Sequence, residues 1–285
     1  MNDKLYIIGN GFDLHHGLKT SYDDFRENQA KKSSDLWKLL KIIYGNKINE
    51  SLWWRDFEEM LGKIDYANVM NSYNGLALGQ NMVQNLLIGI LPPLFEKWIK
   101  TIDAQINTTK PIMAKDIDEN ALFFTFNYTL LLEKVYNVPK DNVWHIHHSV
   151  REKNGDNIIV GHDSDERMLF KDYIKYRKEH QINYNDIADY IIQKAAKGAK
   201  GVKNRILRHE DDFNRLYANI KHFVAMGFSF NDIDMPYIEK IIAVNKNIAD
   251  SDWTLYWHSD GEDEMMKGKL KQLGVSDGCI TLIRW

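Results

Sequence analysis

Several short runs of apolar residues recur along the chain without alternating polar and apolar side chains. The runs predicted as strands are residues 4–8, 122–126, 143–147, 158–160, 223–226, 254–257 and 280–283. A strand that is apolar on both faces is typical of a parallel sheet covered by helices on both sides. We therefore predict an α/β fold.

Helix-like segments lie between these runs and are concentrated at about residues 21–110 and 165–219. Alternating strands and helices at both ends of the chain favour a Rossmann-like, doubly wound and mostly parallel sheet. The two long helical segments are then helical insertions in that sheet. We predict a single domain over residues 1–285.

The composition narrows the class of protein. The 285 residues carry a formal net charge of −3, which argues against nucleic acid or a membrane surface as a partner. The single cysteine, Cys279, excludes an internal disulfide and a cysteine-based zinc module. No secretory signal and no apolar segment of spanning length is found, so a cytoplasmic protein without a membrane partner is expected.

The first apolar run ends in Gly9-Asn10-Gly11-Phe12-Asp13. Two glycines permit a tight turn and close approach of a ligand, and a helix that follows would point N–H groups at a phosphate. The third glycine of the dinucleotide fingerprint is absent, and the same residues also make an ordinary turn. Taken alone, this stretch leaves both interpretations open.

Polar residues also follow the next predicted strand. Thr125 and Asn127 stand where a buried strand would reach the surface. Ligands of open α/β sheets bind beyond the carboxyl ends of the strands, so Asn127 is placed to contact a ribose hydroxyl or a water. Asn127 is equally suited to cap the helix that follows.

Three histidines lie close together at the end of the third run: His145, His147 and His148. Strand alternation predicts that His145 and His147 share one face. Histidine is suited to accept a proton near neutral pH, so either ring is a candidate base. A core histidine is the structural alternative, and a metal site with His162 and Asp163 is another.

The run at 223–226 is followed by Gly227 and Ser229 and then by Asp232 and Asp234. The pattern is not the hydrolase elbow, because Asn231 replaces its last glycine. Gly227 and Ser229 can approach a bound group, whereas the two aspartates are suited to a metal or to capping the next helix. Capping is favoured for the aspartates.

These stretches together resemble the AbiH family of bacterial phage-defence proteins. The residues that match the family's opening motif are Gly9, Asn10, Gly11, Phe12, Asp13, Leu14, His16, Gly17, Leu18, Thr20 and Tyr22. Trp54, Phe57 and Glu58 resemble its Trp-x-x-Phe-Glu element. Helical spacing predicts Trp54 and Phe57 in the core, with Glu58 facing the cleft or a buried polar partner.

The order of motifs also resembles, more distantly, the sirtuin-like superfamily, whose members bind NAD at the carboxyl edge of a Rossmann-like sheet. The resemblance implies that Asn127 orients a water or contacts ribose and that His147 is the base. It implies that Gly9, Gly11 and Phe12 form the phosphate loop and that Gly227 and Ser229 form a second nucleotide loop. His148 replaces the usual glycine, and Thr129 stands where many relatives have aspartate. The missing zinc module argues against a protein deacetylase.

The sequence thus predicts a phage-defence effector that binds a nucleotide and hydrolyses NAD or a related nucleotide. Its expected catalytic residues are His147 and Asn127, and no metal is required. The expected nucleotide-binding residues are Gly9, Asn10, Gly11, Phe12, Asp13, His16, Thr125, Gly227, Ser229 and Asp232. An unknown phage or host trigger is expected, and a homo-oligomer is left open. The alternatives are a metal-dependent nuclease or phosphohydrolase and a non-enzymatic nucleotide sensor.

Overall fold

A computed structural model describes residues 3–71, 82–151, 158–164, 166–181 and 186–285. The chain divides into two compact units. The first unit contains Met1–Thr20, Ile99–Asp156 and Val202–Trp285, and the second contains Ser21–Trp98 and Asn157–Gly201. The organisation of residues 1–285 as a single domain stays a prediction.

The strands form one six-stranded sheet in the first unit, and every pair is parallel. They are β1 (Lys4–Ile8), β2 (Leu122–Thr125), β3 (Val143–His145), β4 (His222–Met226), β5 (Asp252–Trp257) and β6 (Ile280–Arg284). Their spatial order is β3-β2-β1-β4-β5-β6. The predicted doubly wound parallel sheet is confirmed.

Helices account for most of the remaining described residues. The α-helices are α1 (Asn10–His15), α2 (Tyr22–Asn28), α3 (Ser34–Tyr44), α4 (Ser51–Arg55), α5 (Phe57–Leu61), α6 (Tyr66–Asn71), α7 (Leu91–Asp103), α8 (Leu131–Val135), α9 (Glu166–His180), α10 (Asp186–Ala196), α11 (Val202–Arg208), α12 (Glu210–Tyr217), α13 (Met235–Val244) and α14 (Glu262–Gln272). A π-helical segment, Asn85–Ile90, precedes α7. None of the helices in the described residues is long and apolar enough to cross a bilayer.

The register of the sheet places the ends of its central strands side by side. Ile8, the last residue of β1, pairs with Thr125 on one side and with Met226 on the other, and Thr125 pairs with His145. The segments that follow β1, β2, β3 and β4 therefore leave the same edge of the sheet. The strand order reverses between β1 and β4, which is the point where open α/β sheets bind ligands.

Both faces of the sheet in the first unit are apolar. Leu5 and Ile7 of β1 pack in one buried cluster with Phe124 of β2, whereas Tyr6 and Ile8 pack in a second cluster. This burial on both faces explains why the strands show no polar alternation.

Two of the predicted strands differ from the structure. Residues 158–160 form no strand, because the sheet lies in the first unit and this run belongs to the second. The run 143–147 is a strand only as far as His145, after which the chain turns. His145 and His147 consequently do not lie on one strand face.

The second unit is built around aromatic side chains. Trp54 and Phe57 are fully buried and stack with ring centroids 5.0 Å apart, and Phe25 and Phe95 pack nearby. Nε1 of Trp54 donates to the carbonyl of Ile48 at 2.7 Å. The predicted core roles of Trp54 and Phe57 are confirmed. The two aromatic residues lie on separate short helices, because Asp56 separates α4 from α5.

Candidate functional site

The loops that follow β1 and β4 are in direct backbone contact. The amide of Gly11 donates to the carbonyl of Gly227 at 2.9 Å, and that of Gly9 donates to Met226 at 3.0 Å. A Cβ on Gly227, whose φ is +62°, would lie 2.0 Å from the nitrogen of Phe12, and one on Gly9 would lie 2.4 Å from the carbonyl oxygen of Gly227. Side chains at these positions are therefore excluded by the neighbouring loop.

The end of β2 is tied to α1 by a buried carboxylate. Oδ1 of Asp13 accepts a 2.8 Å hydrogen bond from Nδ2 of Asn127, and Oδ2 accepts one of 2.7 Å from the hydroxyl of Thr129. Thr125 belongs to the same group of polar residues, because its hydroxyl accepts a 3.1 Å hydrogen bond from the backbone N–H of Asn127. Residues at or after the ends of β1 and β2 thus form one polar cluster at the carboxyl edge of the sheet.

Asp13 is only 1 % exposed, and this burial raises its pKa to about 7. The hydrogen bonds from Thr129 and Asn127 and the charge of His145 act in the opposite direction and do not offset burial. A carboxyl group with such a pKa exchanges its proton near neutral pH. Asp13 therefore holds Asn127 and is itself able to titrate.

Asn127 presents one polar atom that the described residues do not satisfy. The residue is 6 % exposed, its Nδ2 is bound to Asp13, and its backbone carbonyl accepts from His145. No donor among the described residues reaches its side-chain Oδ1. Because a buried acceptor without a partner is costly, this atom is a place for a hydroxyl group of a ligand or for a water.

His145 forms a hydrogen bond with the backbone of Asn127. Its Nδ1 lies 2.8 Å from the backbone carbonyl of Asn127, and its Nε2 lies 3.0 Å from Oε1 of Glu133 on α8. Arg151 makes an ion pair with the same carboxylate. Burial alone would raise the pKa of Glu133, but the hydrogen bond and charge of His145, together with Arg151, lower it. His145 is therefore held by a charged network and positions the backbone at Asn127.

His147 belongs to a different environment. Its Nε2 lies 3.6 Å from Oδ1 of Asp234, at the start of α13. Its ring packs against Phe126 and Tyr237, with centroids 5.7 Å and 5.8 Å away. A carboxylate beside an imidazole stabilises the protonated ring, so this pair is suited to accept a proton.

Three other predicted site residues have contacts of their own, and a fourth is exposed. Nδ2 of Asn10 donates to the carbonyl of Thr20, whereas His16 contacts the carbonyl of Phe12 through Nδ1 and the hydroxyl of Tyr136 through Nε2. Ser229 is exposed. The side chain of Asp232 is 97 % exposed and forms an ion pair with Lys269 at 2.6 Å. These contacts hold loops and helices together within the first unit.

The histidines weighed as metal ligands do not share a cluster. His145 and His147 have separate partners, and His162 is a buried residue of the second unit that contacts the carbonyl of Ala195 and the amide of Ser164. Burial lowers the pKa of His162 to about 4, so it stays neutral. The described part of the chain contains no group of three or more His, Cys, Asp or Glu side chains arranged around a metal position.

Glu58 of the family-like Trp-x-x-Phe-Glu element has a buried partner in the second unit. Its Oε2 lies 2.7 Å from Nζ of Lys200, whose side chain is almost fully buried. The expectation of a buried polar partner is met by this ion pair.

Sequence reasoning assigned Asp234 to helix capping and did not single out Glu133 or Tyr237. Asp234 makes no side-chain capping hydrogen bond. The sequence Asp-Met-Pro is typical of a helix start, so it does not reveal that the Asp234 side chain leaves the capping bond unmade. Glu133 lies in an ordinary amphipathic segment, Leu131–Val135, and carries no motif. Only the packing of α8 and α13 against the sheet reveals these partners.

The motifs collected at this sheet edge lie within a region that matches a known family. Residues 5–257 match the family model described as bacteriophage abortive infection AbiH. No curated protein and no solved structure matches the chain. Because the matched region covers most of the chain, the protein belongs to the bacteriophage abortive infection AbiH family and has a role in abortive infection.

Proposed function

We propose that the protein acts in abortive infection by binding a nucleotide at the carboxyl ends of β1 to β4 and hydrolysing NAD or a related nucleotide. The observation that carries the proposal is Asn127. It lies beside the reversal point of the sheet, its amide is oriented by Asp13, and its buried Oδ1 has no donor among the described residues. Ribose hydroxyls are donors that fit this acceptor.

The reaction replaces the bond between nicotinamide and C1′ of the ribose with a bond from C1′ to water. Nicotinamide leaves with the electron pair of the broken bond, and the water oxygen takes its place on C1′. One proton of the water is released to a base. The transition state has oxocarbenium character at C1′, so the protein's task is to orient the ribose, place the water and accept the proton.

His147 is the proposed base, and Asp234 supports it. The carboxylate at 3.6 Å stabilises the imidazolium that forms when the ring accepts the proton. Asn127 is proposed to hold the ribose or the attacking water through Oδ1. The order of these motifs resembles that of the sirtuin-like superfamily, which favours the same assignment.

The burial of His147 supports a resting state. The residue is 1 % exposed, so a substrate reaches its ring only after the residues that cover it have moved. An effector that depletes NAD must be inactive until infection, and a covered base satisfies this requirement. The trigger is proposed to be a phage or host factor, and a cytoplasmic location would give access to the NAD pool.

Gly9, Gly11 and Gly227 are proposed to shape the site through their close loop contact. The amides of Gly9 and Gly11 already donate to Met226 and Gly227. Their contribution is therefore the position of the loops and of Phe12 and Asp13, which follow directly. Ser229, Asp232 and His16 remain proposed contacts of the nucleotide.

Incubation of the purified protein with a panel of nucleotides under activating conditions, followed by chromatography of the products, tests the function. Release of nicotinamide from NAD that is insensitive to EDTA is the expected result. Turnover that requires a metal would favour a nuclease or phosphohydrolase. Tight binding without turnover would favour a nucleotide sensor.

A further inference from the structure

Arg205 of α11 is a half-buried cation that has no carboxylate partner among the described residues. Its one hydrogen-bond contact in the described residues joins Nη1 to Nε2 of His148 at 3.4 Å. Its Nε is buried and has no acceptor there. Two other partly buried arginines, Arg26 and Arg151, do have carboxylates, Asp23 and Glu133.

An uncompensated guanidinium is costly to bury, because it loses hydration and gains no counterion. Burial lowers the pKa of Arg205, Tyr237 acts against this, and the positive charge of Arg208 adds to it. A guanidinium that is kept in this state, with no carboxylate near it in the described residues, is suited to receive an anion from solution.

Arg205 lies next to the proposed catalytic residues. Its contact, His148, directly follows His147 in the chain. His148 has a φ of +63°, a conformation that non-glycine residues rarely adopt. Tyr237 interacts electrostatically with Arg205 and packs on the ring of His147. The guanidinium and the proposed base are therefore parts of one cluster.

Most backbone N–H groups of the loop at residues 9–12 already form hydrogen bonds within the protein, so a phosphate bound there needs another ligand. The amide of Gly11 is bonded to Gly227, that of Gly9 to Met226 and that of Phe12 to the carbonyl of Gly9. Three of the N–H groups that could hold a phosphate at this loop are therefore already used. NAD carries a diphosphate with two negative charges, and a cation is the remaining way to neutralise it.

We propose that Arg205 binds the diphosphate of the nucleotide and that the contact with His148 is exchanged for phosphate oxygens on binding. The inference rests on the proposed nucleotide site and assigns its anion ligand. Arg205 is a binding residue here, and its planar guanidinium matches two phosphate oxygens at once. In the sequence Arg205 lies between two other basic residues, Lys203 and Arg208, and such a pattern is typical of a solvated helix face.

Isothermal titration of the purified full chain with three probes tests the inference: inorganic pyrophosphate, NAD and nicotinamide riboside. Arg205→Gln is the test variant, and Arg208→Gln, an exposed arginine on the same helix, is the matched control. Arg205→Gln should weaken binding of pyrophosphate and NAD by about ten- to a hundred-fold, the range of a lost charge-assisted hydrogen bond. Nicotinamide riboside, which has no phosphate group, should bind both variants and the wild type alike.

Thermal unfolding without ligand provides a second readout. Loss of a half-buried cation that lacks a carboxylate partner in the described residues should leave the melting temperature of Arg205→Gln unchanged or higher, whereas loss of a structural arginine would lower it. Pyrophosphate should raise the melting temperature of the wild type and of Arg208→Gln but not of Arg205→Gln.

Three results would overturn the inference: no binding of pyrophosphate by the wild type, equal binding by Arg205→Gln, or an equal loss with Arg208→Gln. The inference and the proposed reaction fail separately. Pyrophosphate binding that depends on Arg205, without any hydrolysis of NAD, would remove the reaction and keep the anion site. Hydrolysis that is unaffected by Arg205→Gln would remove the anion site and keep the reaction.

Discussion

Nδ2 of Asn127 donates to Oδ1 of Asp13 across 2.8 Å, although the two residues are 114 positions apart in the chain. This bond fixes which end of the Asn127 amide faces the protein interior. The other end, Oδ1, is left as a buried acceptor. The polar edge of the sheet therefore depends on a carboxyl group whose own charge is sensitive to pH.

Asp13→Asn should flatten the dependence of stability on pH. Burial raises the pKa of Asp13 from 3.8 to about 7 in the folded protein. Between these two values the folded state binds more protons than the unfolded state, so the free energy of unfolding falls as pH rises and then levels off above about pH 7. The full effect of this one group is of the order of 4 kcal/mol. Asparagine imitates the neutral acid and lacks the effect.

Urea unfolding of both proteins between about pH 5 and pH 8 measures this difference. The wild type should lose stability relative to Asp13→Asn across that interval. Parallel curves for the two proteins would mean that Asp13 does not titrate there.

Gly227→Ala should destabilise the first unit strongly. The new Cβ would lie 2.0 Å from the nitrogen of Phe12, and the φ of +62° is unfavourable for alanine. The strained conformation alone costs about 1–2 kcal/mol, and separating the loops adds to it. Denaturant midpoints measure the loss.

Gly268→Ala is the control for this substitution. Gly268 lies within α14, and a Cβ there meets no atom within 4 Å. Alanine should stabilise that helix by about 0.5–1 kcal/mol, which is the opposite sign. Equal midpoints for Gly227→Ala and the wild type would show that the loops do not need to be this close.

Glu133→Gln should weaken the contact that holds His145 against the backbone of Asn127. Glu133 is bound by His145 and Arg151, and these partners lower its pKa overall although burial raises it. Because the folded pKa is lowered, the stabilising contribution is present above the ordinary pKa of a glutamate and is lost as pH falls through the folded value. The variant should be about 1–3 kcal/mol less stable at neutral pH.

The difference in the free energy of unfolding between the wild type and Glu133→Gln should shrink as the pH falls through the pKa of Glu133 in the folded protein. Unfolding at neutral and acidic pH gives both values. Glu27→Gln, at an exposed pair with Lys31, is the control and should change stability little. A gap that stays constant with pH would contradict the ionic role of Glu133.

The sheet was predictable because strands buried on both faces appear in the sequence as continuous apolar runs, as in Leu122–Thr125. Residues 158–160 show the limit of that signal. Ile158 and Val160 are apolar and buried, yet residues 158–160 form no strand. An apolar run alone does not reveal whether a neighbouring strand is available to pair with it.

The glycines show a second limit. Gly9, Gly11 and Gly227 indicate a close backbone approach, and the sequence suggested a ligand as the approaching group. In the structure the approaching group is the other loop. The steric requirement is the same in both cases, so glycine alone cannot distinguish them.

The site was predictable where residues directly follow strands and hidden where they lie on helices. Asn127 and His147 are marked by their positions after β2 and β3. Asp234, Glu133 and Arg205 lie on or next to helices with ordinary surface patterns. Their roles depend on how those helices pack on the sheet, which is long-range information.

The level of NAD in phage-infected bacteria that produce this protein tests the proposed reaction most directly, because infection supplies the trigger. The proteins to compare are the wild type, Asn127→Ala, His147→Ala and, as a control, His222→Ala, which removes an exposed histidine paired with Asp252. Melting temperatures of the purified variants show whether each one folds. We expect NAD to fall and nicotinamide to rise with the wild type and His222→Ala, and the rate to drop by about 10²–10⁴-fold with His147→Ala. Undiminished NAD and related nucleotides with the wild type, or wild-type depletion by folded His147→Ala, would contradict the proposed function.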